Sequence, residues 1–488
     1  MKSHILIICL LFAALGWCKA QSSNVAQKIS EVEHGFYDQI IVQKNMSGRS
    51  LKDQMQWRKV NGLSIAVIDS GKLAWAKGYG VVDVNLPSQK VDTATLFQCA
   101  SIGKVITTIA ALHLVKERKI DLDEDVNQKL KSWKIPENEF TAQHKVTLRA
   151  LLSHSAGFAD DYGFEGYEPG NTLPTLLQML NGEGPANIKK KLVVMTVPGK
   201  VERYSGASFL IIQQLIEDVI GVGFAEYVKK VVLLPMGLSH TTYCYQPDVE
   251  MKLSVARGHY SNGKTQKKLK YKIYPEMAAA GPWTTASDLA RLIIGLQQIH
   301  DGKINIPLDS SLWKQVLVPQ INSMGLGIPL KGSNEVLGYW HAGNNAGYTG
   351  VLFGVTETGQ GAVVLTNSDG GEWLALDVIR SIANAYQWPI MQSFYPVELN
   401  NPEEYIGNYQ LLGEGALVIS LIKSQLYFEK KGNSRKFKLY GLADGTFRIT
   451  EKPDNLSFRF VRDAHGKISE LMMYENGNKV YRLKKAGF

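Results

Sequence analysis

The chain has 488 residues, of which 45% are hydrophobic and 20% charged, and its formal net charge is +9 at pH 7. The length suggests more than one domain, and the apolar fraction is ample for a packed core. The lysines are spread along the chain except for one cluster at residues 264–272. A solvated loop explains that cluster better than a nucleic-acid site, so we expect no nucleic-acid partner.

Residues 1–20 predict a secretory signal peptide. Lys2 supplies the charged start, Ile5 to Trp17 the apolar middle, and Cys18-Lys19-Ala20 a cleavage site with small residues. No later stretch is long enough to cross a membrane, so we expect no transmembrane segment after signal cleavage. The expected location is therefore periplasmic or secreted.

Two cysteines, Cys99 and Cys244, remain once the predicted signal is removed. Two cysteines are not a disulfide framework, and the chain has no Cys/His spacing typical of zinc. Pairing of Cys99 with Cys244 stays open at this stage, although packing is the more ordinary role for Cys99. The sequence gives no reason to expect a metal or an organic cofactor.

The chain divides into two parts by pattern. Residues 63–68 and 73–78 are strand-like runs around Asp69-Ser70-Gly71, which predicts a β-hairpin. From residue 402 to the end, apolar and polar residues alternate in short segments, with Gly, Asn and Asp in the turns between them. This pattern predicts a separate small all-β domain. We place the boundaries at 1–20 for the signal, 21–395 for the main domain and 396–488 for the small β-domain.

The stretch from Phe97 to Arg118 (FQCASIGKVITTIAALHLVKER) predicts the element around which the chain is organised. Its apolar residues follow helical spacing on nearly all faces, which is typical of a buried helix. Ser101 and Lys104 stand three residues apart at its start, so their side chains share one face. A lysine amine beside a serine hydroxyl can take the hydroxyl proton and make the serine a nucleophile.

The Ser-x-x-Lys pattern alone proves little, because it occurs four times, at Ser101/Lys104, Ser261/Lys264, Ser311/Lys314 and Ser420/Lys423. Only the pair at Ser101 combines a helix start with a buried setting, and the helix start also favours developing negative charge. The alternative is that Ser101 is a capping serine beside a solvated lysine.

Two further residues are candidates by position. His154 lies in LRALLSHSAG, a short helix closing at a turn, where capping of the turn is favoured over catalysis. Tyr204 ends the loop VPGKVERYSG just before the next helix. A tyrosine there is usually packed, but it could present its hydroxyl to a cleft.

Seven ordered stretches carry a family resemblance: AVIDSGKLAWAKGYG, FQCASIGK, LLSHSAGF, PGKVERYSG, GPWTTASDLAR, GYWHAGNNAGYTG and VVLTNS. Together they resemble the serine β-lactamase and penicillin-binding-protein superfamily, and most closely its class C-like branch. The resemblance covers about Gly62 to Asn384. It implies an α/β fold of the β-lactamase/transpeptidase type, with an antiparallel sheet flanked by helices plus a helical lobe. Residues 402–488 resemble the small β-barrel domain often appended to this family.

The resemblance also implies the roles of the site residues. Ser101 is expected to attack a carbonyl carbon and form an acyl-enzyme, and Lys104 with Tyr204 to act as the base. The backbone N–H groups of Ser101 and of Asn344, which follows the third-motif Gly343, are expected to hold the oxyanion. Water then hydrolyses the acyl-enzyme, without a cofactor.

Two departures from the family motifs bear on substrate choice. The second motif usually reads Tyr-x-Asn, but here Gly206 stands at the asparagine position. The hydrogen bonds of the missing asparagine amide would have to come from Asn344, Asn345 or a water. The third motif usually carries a lysine that binds a substrate carboxylate, but here it is His341. A histidine with its reference pKa of about 6.5 is largely neutral at pH 7. A packed histidine without a catalytic role is the alternative for His341.

We therefore expect a secreted serine hydrolase acting on small esters or on D-amino-acid amides and peptides. The alternatives are a catalytically inactive penicillin-binding-like sensor or binding protein, and a true β-lactamase or D,D-carboxypeptidase. The expected partner is a small-molecule or peptide substrate, and the sequence leaves the oligomeric state open.

Overall fold

The computed structural model describes residues 24–36, 40–41, 48–158, 164–250, 252, 254–264, 271–332, 336–411, 414–431, 435–449, 456–475 and 478–486. The predicted signal peptide, residues 1–20, lies outside the described residues.

The helices, in chain order, are α1 (24–34), α2 (Leu51–Trp57), α3 (Gly103–Lys116), α4 (Leu148–Leu152), α5 (Leu176–Asn181), α6 (Gly206–Ile220), α7 (Phe224–Val228), α8 (Pro247–Glu250), α9 (Met277–Ala280), α10 (Ala286–His300), α11 (Ser310–Val316) and α12 (Glu372–Ala385). Short 3₁₀ turns cover Ala100–Ile102, Val126–Gln128 and Pro402–Tyr405, and a π-helical turn covers Lys229–Leu233.

The strands of the main part are β1 (Gly62–Asp69), β2 (Lys72–Gly80), β3 (Phe97–Gln98), β4 (Trp283–Thr284), β5 (Leu330–Gly332), β6 (Leu337–Asn345), β7 (Tyr348–Val355) and β8 (Gln360–Thr366). Those of the C-terminal part are β9 (Gly407–Leu411), β10 (Glu414–Ile422), β11 (Gln425–Lys430), β12 (Phe437–Gly441), β13 (Phe447–Ile449), β14 (Leu456–Arg462), β15 (Ile468–Glu475) and β16 (Asn478–Lys485).

Six strands form one sheet in the order β2-β1-β8-β7-β6-β5. The predicted hairpin is confirmed, since β1 pairs antiparallel with β2 across a turn in which Ser70 and Gly71 both have positive φ. Strands β1, β7 and β8 are buried along almost their whole length, so both faces of the sheet centre are covered. The expected β-lactamase/transpeptidase-like fold, an antiparallel sheet with helices, is confirmed.

Helix α3 lies at the centre of the main core. Its residues from Gly103 to Leu112 are all buried, and so is Leu114. The helix is held through its polar residues as well, because the hydroxyl of Thr107 donates to the carbonyl oxygen of Ala278 over 2.8 Å. A helix that is apolar nearly all round needs such enclosure, which the sequence pattern predicts.

Two compact units are present: one consists mainly of Leu51–Lys331 and Leu337–Ile382, and the other mainly of Ala383–Phe488. The second contains a closed barrel of eight strands, β9 to β16, as the alternating pattern predicts. Its interior is filled by aromatic and aliphatic side chains such as Tyr409, Phe458 and Leu471. The domain boundary between residues 395 and 396 stays a prediction.

Among the described residues, no single helix is both long and apolar enough for a membrane span. One pair of segments, Gly206–Ile220 and Phe224–Leu233, is long and apolar enough when taken together, but the chain bends by 80° between them. In the same part of the chain, no group of three or more His, Cys, Asp or Glu residues could hold a metal ion.

Candidate active site

Ser101 lies in the 3₁₀ turn that leads directly into α3, rather than in the α-helix itself. The preceding residue, Ala100, has a φ of +47°, a left-handed conformation that is uncommon for a residue with a side chain. Strain of this kind costs on the order of 1–3 kcal/mol and often occurs at functional sites. The Ser101 side chain remains half-buried, so the turn presents it at the edge of the core.

Lys104 is the buried partner of Ser101. Its Nζ lies 2.9 Å from Ser101 Oγ and donates to the carbonyl oxygen of Ala279 over 2.7 Å. The residue is only 1% exposed, and this burial lowers the pKa of Lys104 to about 7. A substantial fraction of Lys104 is therefore neutral near pH 7, and a neutral amine can accept the Ser101 proton.

Tyr204 lies on the other side of the same pair. Its ring faces Lys104, with Nζ 5.2 Å from the ring centroid, and its hydroxyl is hydrogen-bonded to Ser101. The residue as a whole is 40% exposed, yet the surroundings of its hydroxyl are buried and raise the pKa of Tyr204 to about 12. Tyr204 is thus protonated at pH 7, so Lys104 is the better base and Tyr204 can pass on a proton.

His341 is enclosed in the same cluster, with its ring centroid 6.1 Å from that of Tyr204. Its Nδ1 donates to the carbonyl oxygen of Ala342 over 2.7 Å, so Nε2 carries the lone pair. Burial and the nearby Lys104 lower the pKa of His341 to about 3. The histidine therefore stays neutral well below the reference pKa, and no cationic form is available there at mildly acidic pH.

The missing motif asparagine at Gly206 is not replaced by Asn345. The Asn345 amide donates instead to the side chain of Gln98 over 2.9 Å and to the carbonyl oxygen of Ala280 over 3.1 Å. Lys104 is held by the carbonyl oxygen of Ala279. Asn344 is exposed at the end of β6, so its side chain is open to solvent.

Gly343 brings β6 against the turn that carries Ser101. A Cβ atom at position 343 would lie 2.2 Å from the carbonyl oxygen of Cys99 and 3.3 Å from Ala100 Cβ. Only glycine permits this approach of the two backbones. The expected oxyanion donors, the N–H groups of Ser101 and Asn344, thus belong to two segments in direct contact.

For His154 the sequence favours a turn-capping role, but the structure places its ring against Tyr204. His154 follows α4 with a φ of +55°, and its ring centroid lies 4.3 Å from that of Tyr204. The short segment LLSHSAG gives no spacing signal for this contact, because Tyr204 lies far along the chain. Only the resemblance of both segments to family motifs pointed to the region.

The other three Ser-x-x-Lys pairs lie in different surroundings. Ser311 is exposed on α11 and donates to Asp309, and Ser420 lies on strand β10 of the barrel. Ser261 is exposed in a turn. Cys99 and Cys244 are not disulfide-bonded, which answers the question that the sequence left open.

Comparison with known proteins shows to which family the sequence is similar. The sequence model of the Beta-lactamase family matches residues 49–387, more than half of the chain. The teichoic acid D-alanine hydrolase of Staphylococcus aureus is 26% identical over 271 residues, which cover 54% of this chain and 62% of that protein. The chain thus matches less than two thirds of the length of this curated relative.

Solved structures extend the likeness at the level of the fold. The octameric penicillin-binding protein homologue from Pyrococcus abyssi superposes with a TM-score of 0.58 and 21% identity, over 89% of this chain and 98% of that one. The D-amino acid amidase from Ochrobactrum anthropi SV3 gives a TM-score of 0.55 and 19% identity, over 69% and 96% of the two chains.

Proposed function

Because this chain belongs to the Beta-lactamase family, we propose that it is an exported serine hydrolase that forms an acyl-enzyme on Ser101. Its substrates are small esters or D-amino-acid amides and peptides. The observation that carries the proposal is the distance of 2.9 Å between Lys104 Nζ and Ser101 Oγ. A buried lysine with a pKa of about 7 in that place is an effective base at neutral pH.

The reaction follows from the contacts. Ser101 Oγ attacks the carbonyl carbon while its proton passes to neutral Lys104, and the backbone N–H groups of Ser101 and Asn344 hold the oxyanion. The Tyr204 hydroxyl, hydrogen-bonded to Ser101, donates its proton to the leaving alcohol or amine and is reprotonated by Lys104, which returns to its neutral form. Water then attacks the acyl-enzyme with Lys104 again as base, which releases the acid and restores Ser101.

Because His341 is neutral, the site favours a substrate that places no carboxylate next to the third motif. His341 is neutral, and its Nε2 carries a lone pair and is buried, so the side chain offers a carboxylate neither charge nor donor. A D-alanyl ester or a D-amino-acid amide carries an amino group and no free carboxylate. The relative described as a teichoic acid D-alanine hydrolase supports the same class of substrate.

The test is covalent labelling with a fluorophosphonate probe, followed by peptide mass spectrometry. We expect an adduct on Ser101 that is lost in Ser101→Ala. The matched control is Ser311→Ala, which removes the serine of an exposed Ser-x-x-Lys pair and leaves labelling unchanged. Hydrolysis of p-nitrophenyl butyrate, and of D-alanine and L-alanine methyl esters, then identifies the acyl group preferred.

An inactive binding protein is the outcome that would replace this proposal. In that case Ser101 takes no label and Ser101→Ala has the same residual hydrolysis as the wild type. Export is tested separately, by cell fractionation and by sequencing the N-terminus of the mature protein, which we expect to begin after Ala20.

A further inference from the structure

His154 contacts three consecutive residues of the segment that carries Tyr204. Its carbonyl oxygen accepts from the N–H of Arg203 over 2.7 Å, and its ring Nδ1 accepts from the N–H of Ser205 over 3.0 Å. Between these two hydrogen bonds, its ring packs on the ring of Tyr204 at 4.3 Å between centroids. One residue therefore fixes the backbone on both sides of Tyr204 and one face of its ring.

We propose that His154 is a positioning residue that holds the Tyr204 hydroxyl beside Ser101. The inference rests on the proposed function, because it assigns His154 to the same reaction. Tyr204 needs such support, since the residue is 40% exposed and lies in a loop just before α6. A ring free to turn away from the core would take its hydroxyl from Ser101.

The hydrogen bond that Nδ1 of His154 accepts determines which tautomer the neutral imidazole adopts. Since Nδ1 receives the N–H of Ser205, the ring proton of neutral His154 lies on Nε2. Burial, with Lys104 and His341 nearby, lowers the pKa of His154 well below 6.5. The neutral form is the one that can accept, so the cluster around Lys104 also keeps His154 able to hold the loop.

Capping of the turn after α4 does not account for these contacts. The backbone N–H of His154 donates to the carbonyl oxygen of Leu151 over 3.3 Å, and any residue that tolerates positive φ could do this. The imidazole, by contrast, makes the contacts with Tyr204 and Ser205, and it also packs near Phe209 at 5.4 Å between ring centroids. Capping therefore accounts for the backbone N–H of His154, but not for its carbonyl oxygen or its side chain, which both contact the Tyr204 segment.

The experiment compares two amides at one position. In His154→Asn the side-chain oxygen takes the place of Nδ1, and asparagine tolerates positive φ. In His154→Gln the amide is carried one carbon further and misses the N–H of Ser205. We expect the rate of fluorophosphonate labelling at Ser101 to fall about tenfold or more in His154→Gln. It should fall less in His154→Asn, which keeps an acceptor for the N–H of Ser205 but loses the ring contact with Tyr204.

A double-mutant cycle separates positioning from a general loss of structure. Tyr204→Phe removes the hydroxyl that His154 is proposed to position, so His154→Gln should cause little further loss in that background. Equal losses in both backgrounds would overturn the inference. So would equal labelling rates in the asparagine and glutamine variants.

Nitration by tetranitromethane gives a readout that does not need activity. We expect Tyr204 to be nitrated faster in His154→Gln than in wild type, while Tyr260, which is 42% exposed, reacts equally in both. Faster nitration with no label on Ser101 in any variant would refute the proposed function and keep the inference. Unchanged nitration of Tyr204 would refute the inference and leave the proposed function standing.

Discussion

Lys104 Nζ donates to the carbonyl oxygen of Ala279 over 2.7 Å, a contact between residues 175 positions apart. The neighbouring carbonyl of Ala278 accepts from Thr107 on the same helix. Two successive carbonyl oxygens of α9 thus hold α3 at the point where the base lies. Backbone oxygens orient the lysine without adding a charge that would raise its pKa.

The first prediction concerns pH. Since burial lowers the pKa of Lys104 to about 7, the neutral amine forms as the pH rises through that value. We expect the rate of fluorophosphonate labelling at Ser101 to rise about tenfold per pH unit below pH 7 and to level off above it. The measurement is the labelling rate between pH 5 and pH 9.

The control for this profile is Lys104→Arg, whose guanidinium stays charged throughout the range. Its labelling should be slow and nearly independent of pH. A wild-type profile that keeps rising steeply up to pH 9 would show that Lys104 has an ordinary lysine pKa in the protein and is not the base at neutral pH.

The second prediction concerns the contact of β6 with the Ser101 turn. In Gly343→Ala the new Cβ would lie 2.2 Å from the carbonyl oxygen of Cys99, so the two segments must separate. We expect labelling of Ser101 to fall at least about tenfold, with a loss of stability of about 1–3 kcal/mol. Labelling rates and urea unfolding measure the two effects.

Gly223→Ala is the matched control. Gly223 has a φ of −63°, and a Cβ there would have no neighbour within 4 Å. This variant should keep wild-type labelling, and its stability should fall by less than about 1 kcal/mol, because Gly223 is the N-cap of α7 and alanine is a poorer N-cap than glycine. A Gly343→Ala protein that behaves in the same way would show that the close approach is not needed for the reaction.

The third prediction concerns the two thiols. Cys99 is 1% exposed and burial raises the pKa of its thiol to about 12, whereas Cys244 is half-buried. We expect iodoacetamide at pH 8 to alkylate Cys244 in the folded protein and Cys99 only after unfolding in urea. Peptide mapping distinguishes the two. A cross-linked peptide containing both cysteines, or alkylation of Cys99 in the folded state, would contradict the structure.

Local patterns predicted much of the fold. The buried helix after Ser101 has an unbroken apolar pattern, and the hairpin at Asp69 and the β-barrel have alternating patterns with turn residues between them. These signals lie within a few residues of the elements they predict. The nearness of Ser101 to Lys104 follows likewise from helix geometry.

The details that govern the chemistry depend on contacts distant in sequence. Any residue has a carbonyl oxygen, so nothing in the sequence marked Ala279 as the partner of Lys104. The neutral state of His341 follows from enclosure by several elements, and the reference pKa alone could not indicate a value of about 3. The contact of His154 with Tyr204 needs the turn after α4 to meet the loop before α6.

The last prediction concerns β-lactam antibiotics, which carry a carboxylate. His341 is neutral with no N–H at Nε2, and Gly206 has no side-chain amide, so the site lacks two donors that efficient β-lactamases of this family are expected to use. Loss of a charged hydrogen-bond partner costs about 1.5–3 kcal/mol, or about ten- to a hundredfold in rate. We expect nitrocefin to be hydrolysed at least about tenfold more slowly than p-nitrophenyl butyrate, measured as kcat/KM.

Mild acid should not improve β-lactam hydrolysis. With its reference pKa of about 6.5, His341 would become cationic there and bind the carboxylate, but its pKa in the structure is far lower. His341 remains neutral down to about pH 3, while Lys104 becomes protonated below about pH 7. The nitrocefin rate should therefore fall steadily from pH 7 to pH 5. His341→Lys restores a donor with a positive charge and should raise the ratio of nitrocefin to ester hydrolysis about tenfold, whereas the neutral control His341→Gln should not. If wild type hydrolyses nitrocefin as fast as its best ester and the lysine variant gains nothing, the neutral His341 does not limit β-lactam hydrolysis.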